Sequence, residues 1–150
     1  MRRICLYLLS ALIMPGLASA AVPVLSGYPS CAYDRVGNVR ASDGRRPDGS
    51  PDDDRLRLVN YASVFGRLSD QAEKLGANAV VANTHEAAFY TSGGKRSARP
   101  VYVSISGGAI RLKDPEKCHA AVMSAAAMQE RAFHGDVQQI SLDRSQPPTN

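Results

Sequence analysis

The 150-residue sequence has no tryptophan, only three phenylalanines and three cysteines, and no long apolar run after its first 20 residues. The close cysteine pairs that are typical of structural zinc sites are missing, because Cys5, Cys31 and Cys118 lie far apart. A second apolar run long enough to cross a bilayer is also missing. These absences argue against a zinc module and against a membrane span in the body of the chain.

A large excess of one charge is missing as well. The chain has 18 Lys+Arg and 14 Asp+Glu. Removal of residues 1–20 would take away Arg2 and Arg3 and no acid, which leaves 16 basic against 14 acidic residues, a net charge of +2. So small a charge gives no reason to expect a nucleic-acid partner or an anionic lipid surface.

The first 20 residues carry the clearest signal in the sequence. Residues 1–3 (MRR) form a basic start, residues 4–17 are mainly apolar, and residues 18–20 (ASA) form a small-residue cleavage site. This order is typical of a secretory signal peptide, and the apolar run is too short to span a membrane. We therefore predict cleavage near Ala20 and a periplasmic or secreted mature protein.

Two cysteines remain after that cleavage, in a compartment that permits disulfides. A bridge between Cys31 and Cys118 would close a long loop and stabilise the fold by roughly 4–5 kcal/mol. The alternative is a pair of buried free thiols. Neither Cys5 nor Cys31 stands where a lipoprotein cysteine follows its leader, so we expect no lipid anchor.

Helical spacing in residues 55–75 is the strongest structural signal. Asp52, Asp53 and Asp54 precede it, where acidic side chains cap a helix and face the positive end of its dipole. Gly76 follows it, where a left-handed C-terminal cap is expected. We predict a core helix over 55–75 whose buried face carries the apolar residues of the repeat. These are Leu58, Tyr61, Ala62, Phe65, Leu68, Ala72 and Leu75.

Strand patterns lie on both sides of this helix. Residues 31–40 alternate loosely and predict a first strand, followed by a loop of turn formers and charges over 41–54. Residues 77–82 read as a buried strand that 84–90 continues or pairs with, before a turn over 91–97. The pattern after the helix therefore indicates a hairpin or a longer run of sheet.

Residues 100–112 alternate apolar and polar side chains and predict a strand with one buried face. Within it, Gly107-Gly108 marks either a bulge or a hairpin turn, and the resumed alternation at Ile110 favours the bulge. A second helix is predicted from Asp114 to about residue 133, because a capping side chain, a proline and an acid open it.

This order of elements predicts a small α+β domain. We expect an antiparallel sheet with the long helix packed on one face and a second, C-terminal helix. Residues 1–20 are assigned to the signal peptide, 21–30 to an extended lead-in, 31–134 to the domain, and 135–150 to a C-terminal tail.

The adjacent pair His85-Glu86 is the first candidate for chemistry. Histidine and a carboxylate can share a proton or a metal ion. Neighbouring residues on a strand point to opposite faces, however, so a surface pair is the favoured interpretation.

Two further patterns have simpler structural explanations. Cys118-His119 resembles an activated thiol, but adjacent helix residues do not face each other and a disulfide would remove the thiolate. The acidic run from Asp48 to Asp54 lacks the glycine and distal glutamate of the common calcium loop, and helix capping explains it better.

Residues 92–96 (SGGKR) lack the spacing of a phosphate loop and predict a hairpin turn, with Arg96 and Arg99 as a minor anion-binding edge.

Several aromatic residues could line a groove, although core packing explains most of them. An exposed aromatic strand edge would instead indicate a protein partner. The aromatic candidates are Tyr28, Tyr33, Phe89, Tyr90 and Tyr102.

Residues 68–81 resemble the "L-x-x-x-A-x-x-L-G-A-N-A-V" helix-to-strand junction of small bacterial envelope proteins. These include the outer-membrane sensor lipoprotein of the Rcs phosphorelay (RcsF) and the YbjQ-like family, and residues 104–112 are similar to their later glycine-containing strand. The resemblance covers about residues 31–112 and implies an α+β fold in the cell envelope. Its best motif is architectural: Gly76 permits a left-handed turn, and Asn78 hydrogen-bonds local backbone.

The combined observations predict a non-enzymatic envelope protein that acts by protein–protein contact, in stress sensing or envelope maintenance. We expect no cofactor, no nucleic acid and no membrane span, and an exposed sheet edge would offer a homodimer contact. The alternative is a periplasmic protein that binds a small molecule or a metal ion through His85, Glu86 or the acidic loop 48–54.

Overall fold

A computed structural model describes residues 21–45, 58–135 and 138–143 of the chain. The predicted signal peptide, residues 1–20, and the acidic run from Asp48 to Asp54 lie outside the described residues. None of the helices in the described ranges is both long and apolar enough to cross a membrane.

The described residues form six strands and two α-helices, with one short 3₁₀ helix between β5 and α2. The elements are β1 (Val24–Leu25), β2 (Tyr33–Gly44), α1 (Tyr61–Lys74), β3 (Ala79–Ser92), β4 (Lys95–Arg96), β5 (Tyr102–Leu112), the 3₁₀ helix (Pro115–Lys117), α2 (Ala125–His134) and β6 (Gln138–Asp143).

The strands form one sheet in the order β1-β3-β5-β2, in which β4 and β6 also pair with β3. The α+β class is confirmed, but the prediction of an antiparallel sheet is wrong, because β1 and β6 both run parallel to β3. The 14 residues of β3 are long enough for β1 to pair near its start and β6 towards its end. Both strands come from segments assigned to a lead-in and a tail, so the sheet extends beyond residues 31–134.

The central strand β5 runs unbroken through Gly107 and Gly108. The irregularities expected there lie in its neighbours instead, between Arg35 and Gly37 in β2 and around Asn83 in β3. Gly107 is needed for a different reason, since a Cβ at that position would run into the carbonyl oxygen of Val81. The glycine therefore permits close approach of two backbones rather than a bulge.

Helix α1 begins at residue 61, six residues after the predicted start. Its N-cap is Asn60, whose side-chain oxygen accepts from the backbone N–H of Ser63 at 3.1 Å. The carboxylate of Asp43 accepts from the backbone N–H of Asn60 at 2.7 Å and so ties this cap to β2. The cap expected from the aspartate run is thus supplied by an asparagine and by a distant strand.

The second predicted helix is divided in two. Only a 3₁₀ turn follows Asp114, and α2 begins after the N-cap Ser124. Backbone hydrogen bonds from Ser26 N–H to Ala121 at 3.0 Å and from Met123 N–H to Val24 at 2.7 Å hold the intervening chain beside β1. This pairing with a strand excludes a helix there.

The core has two clusters, which receive alternate residues of β5. The smaller consists of Leu25, Ala79, Val81, Ile110 and Leu112, beside the two cysteines. The larger unites strands and helices: Val24, Val39, Ala41, Val59, Tyr61, Val64, Leu68, Ala72, Ala77, Val80, Ala87, Phe89, Val103, Ile105, Ala109, Met123, Met128 and Ala132.

Side chains of α1 occupy part of the outer edge of β2. The Gln71 carboxamide accepts from the backbone N–H of Arg40 at 3.1 Å and donates to its carbonyl oxygen at 2.9 Å. The Arg67 guanidinium donates to the carbonyl oxygen of Ser42 at 2.6 Å. Because Gln71 pairs with the backbone as a neighbouring strand would, this stretch is closed to strand addition.

We expect Gln71→Ala to reopen that edge. The variant should lose about 1 kcal/mol of unfolding free energy and self-associate more than the parent protein at equal concentration. Chemical denaturation and light scattering would measure the two effects. Asp70→Ala, an exposed change at the neighbouring position, is the control, and equal association of Q71A and the parent would contradict the edge-blocking role.

Candidate functional site

His85 and Glu86 lie on opposite faces of β3 and contact different partners. The His85 Nε2 atom lies 2.9 Å from the hydroxyl oxygen of Tyr61. The Glu86 carboxylate lies 3.9 Å from the guanidinium of Arg40. The two side chains are therefore not brought together as an acid–base pair or as joint metal ligands.

The surroundings of His85 favour its neutral form. Burial, together with the positive charge of Arg131 on α2, lowers the pKa of His85 from 6.5 to about 4. Burial also raises the pKa of the Tyr61 hydroxyl. The His85 Nδ1 atom is buried with no hydrogen-bond partner among the described residues. Both groups of this part-buried pair are therefore neutral at pH 7.

Tyr61 lines an open groove of about 600 Å³ between α1 and α2, whereas His85 lines neither this groove nor the adjoining one of about 710 Å³. In the part of the chain that the structure describes, no group of three or more His, Cys, Asp or Glu side chains is placed to hold a metal ion. Among the described residues, His85 thus belongs to no cluster of metal-ligand side chains and lines neither of these two grooves.

Cys31 and Cys118 form a disulfide that joins residues 87 apart in sequence, with 5.5 Å between their Cα atoms. The alternative of two free thiols is thereby excluded in this structure. With no thiolate at Cys118, the Cys118-His119 pair has no nucleophile. The bond instead fastens the segment before β2 to the segment after β5.

The junction after α1 uses Gly76 and Asn78 in different ways. Gly76 has a positive φ of 70°, and its carbonyl oxygen accepts from Arg111 Nε at 2.8 Å. The Asn78 carboxamide was expected to bond local backbone. It instead donates to the carbonyl oxygen of Leu112 at 3.0 Å and accepts from its N–H at 2.7 Å. This junction is therefore fastened to the end of β5.

Arg96, one of the two residues of the predicted anion-binding edge, makes its contacts within the protein. Its guanidinium carbon lies 4.5 Å from the ring centre of Phe89 and 5.6 Å from that of Phe133. The same guanidinium donates to the carbonyl oxygen of Phe133 at 2.6 Å, in the last turn of α2. Arg96 therefore secures the end of this helix through cation–π and dipole interactions.

Two of the five aromatic candidates are exposed and adjacent. Tyr28 is 51% exposed and Tyr33 is 36% exposed, and their stacked rings lie 5.8 Å apart. The register places Tyr33 on the same face of β2 as Arg35 and Asn38. Across β5, the Asn83 carboxamide donates to the Tyr28 hydroxyl at 3.3 Å. We call these five residues the tyrosine patch.

Sequence reasoning found only the two tyrosines of this patch. Arg35 and Asn38, joined by a 2.7 Å hydrogen bond, read as ordinary strand positions. Asn83 is the residue left out of the register between Ala82 and Thr84, and the end of the apolar run at Ala82 is the one signal that could have indicated it.

Comparison with known proteins gives no match, either to a protein-family model or to a curated protein. The similarity to envelope families therefore rests on the sequence motif alone.

The low pKa of His85 predicts acid sensitivity. An unfolded chain takes up the proton near pH 6.5, whereas the folded protein does so only near pH 4, so stability should fall between these values as pH decreases. His85→Gln should reduce the change in melting temperature between pH 7 and pH 4.5. His119→Gln, at an exposed position, should leave it unchanged, and equal pH profiles for H85Q and the parent would refute this assignment.

Removal of the disulfide should be costly. Replacement of both Cys31 and Cys118 by serine should lower the free energy of unfolding by about 4 kcal/mol, because the unfolded chain regains the freedom of a long closed loop. Denaturant titration would measure this loss. A reducing agent should produce a comparable loss in the parent and none in the double variant; no loss in either experiment would contradict the prediction.

Proposed function

We propose that this protein is a non-enzymatic binding protein of the bacterial envelope, periplasmic or secreted, that contacts another envelope protein through the tyrosine patch. It would act in stress sensing or in envelope maintenance. The envelope location rests on the leader sequence and on the motif resemblance. The observation that carries the binding role is the exposed stack of Tyr28 and Tyr33 beside Arg35.

The composition of the patch supports a protein partner. Tyrosine and arginine are among the residues enriched at the energetic centres of protein interfaces, because they bury a large surface and still offer a polar end. Here two tyrosines and Arg35 lie together, with the carboxamides of Asn38 and Asn83 around them. Such a surface can bury aromatic area and satisfy polar groups at its rim.

The rigidity of the patch also supports this role. Cys31 lies between Tyr28 and Tyr33 in sequence, and its disulfide to Cys118 fastens this segment to the body of the protein. A surface fixed before contact loses less conformational entropy on binding. In this proposal, α1 covers the sheet face opposite the patch. The buried side chains of α1 support this placement, because they belong to the same apolar cluster as Val39 and Ile105.

Site-specific cross-linking in cells tests this proposal. A photo-reactive phenylalanine replaces Tyr33 in one variant and Asp70, an exposed position on α1, in a matched control. The Tyr33 position should capture one envelope protein that the control position does not. Tyr28→Ala should reduce that capture by at least about tenfold, as expected for loss of a central aromatic contact.

A capture pattern that is the same from both positions, or that is unaffected by Tyr28→Ala, would contradict the proposal. The Y28A variant should keep its melting temperature to within a few degrees, since the Tyr28 side chain is half exposed. A product of twice the chain mass would identify the partner as a second copy and would overturn the assignment of a different envelope protein.

A further inference from the structure

Helix α1 covers only part of the outer edge of the sheet at β2. Gln71 of α1 bonds the backbone of Arg40 on this edge. Just past the end of the helix, the carbonyl oxygen of Gly76 accepts from Arg111, which belongs to the inner strand β5. The helix therefore crosses the sheet obliquely and leaves the first half of β2 uncovered on its outer side. We call the backbone of residues 33–38 on this side the open edge.

The backbone groups of β2 point alternately toward β5 and away from it. Arg40 directs its N–H and C=O to α1, so Asn38, two residues earlier, also points outward. Leu112, the register partner of Tyr33, directs both backbone groups to the asparagine before β3 and thus away from β2. Tyr33 therefore points outward, and so does Arg35, two residues later. Among the described residues, these three outward backbones have no hydrogen-bond partner.

Side chains flank the open edge on both faces of the sheet. On the α1 face, Leu75 is 43% exposed and lies over Gly37, where a Cβ would be 2.9 Å from Leu75 Cδ1. On the other face lies Tyr33, stacked on Tyr28. An added strand would direct its side chains alternately to these two faces. An apolar residue of that strand would contact Leu75, while its neighbours would contact the tyrosine patch.

A second copy of this chain suits the open edge poorly. A twofold pairing centred on Asp34 would place two aspartates opposite each other, and one centred on Arg35 would do the same with two arginines. Like charges in direct opposition are destabilising. A pairing centred on the bulge before Gly37 would bring the second strand against Gln71. The open edge therefore favours a strand from a different protein.

We propose that the partner protein adds an extended segment to the open edge as a further strand of the sheet. This inference rests on the proposed function, because it names the conformation in which the partner contacts the tyrosine patch. The outward N–H groups of Tyr33, Arg35 and Asn38 donate to the segment, and their carbonyl oxygens accept from it. Backbone pairing supplies affinity, and contacts with Leu75 and Tyr33 select the side chains of the segment.

Removal of one backbone donor tests this pairing. Asn38→Pro removes an N–H that points away from β5, and proline is tolerated at such positions of an edge strand. Asn38→Ala is the matched control, since it removes the same side chain and keeps the N–H. The probe is the capped peptide Thr-Val-Thr-Val-Thr, compared with capped Thr-Val-Pro-Val-Thr, in NMR titrations of the parent protein and both variants.

The first peptide should bind the parent and N38A alike, and it should bind N38P about tenfold more weakly. Near saturation it should slow amide exchange at Tyr33, Arg35 and Asn38 by about tenfold and leave Val39, which faces β5, unchanged. The proline peptide should have neither effect.

Equal losses in N38P and N38A would assign the contact to the Asn38 side chain and overturn strand addition. Equal binding of the two peptides to the parent, or no slowing of exchange at the alternate amides, would also overturn it. Both of these measurements use the parent protein, so they decide the question even where N38P fails to fold.

The two proposals can fail separately. Cross-linking from Tyr33 that persists undiminished in N38P would retain the protein interaction and reject strand addition. Binding of the first peptide without specific cross-linking from Tyr33 would retain the open edge as a binding site and reject the envelope-protein partner.

Discussion

The disulfide between Cys31 and Cys118 is the constraint on which much of this structure depends. It joins the chain just before β2 to the chain just after the 3₁₀ helix, beside the smaller apolar cluster. The segment after Cys118 then runs along β1, which delays the start of α2 until Ser124. The same bond holds Tyr28 and Tyr33 on the outside of the sheet. One covalent link thus connects the segment that carries the candidate binding surface to the segment that leads into α2.

How well the sequence predicted the fold depended on how local each determinant is. The repeat in α1 and the alternation in β5 arise from neighbouring residues, and both were recognised. The start of α1 depends on Asp43, and the extended run before Ser124 depends on Val24, so local propensity could not find either. The candidate site was found in part, because two tyrosines are conspicuous, whereas Arg35 and Asn83 come near them only through strand pairing.

His85 illustrates why a reactive residue type is weak evidence for function. Its ring faces the core, contacts Tyr61 and is kept neutral by burial and by Arg131. The tyrosine patch has the opposite character, since each of its residues is exposed and, taken alone, is an ordinary surface residue. Its significance comes from the contacts that these residues make with one another.

The contact between Gln71 and Arg40 also has a consequence for the order of assembly. Strand β2 acquires its outer edge when it pairs with β5, and this pairing can precede the docking of α1. During that interval the bare strand can pair with another newly made chain. Rapid docking of α1 therefore serves the yield of folded protein as well as its final stability, and conditions that delay this step favour misassembly.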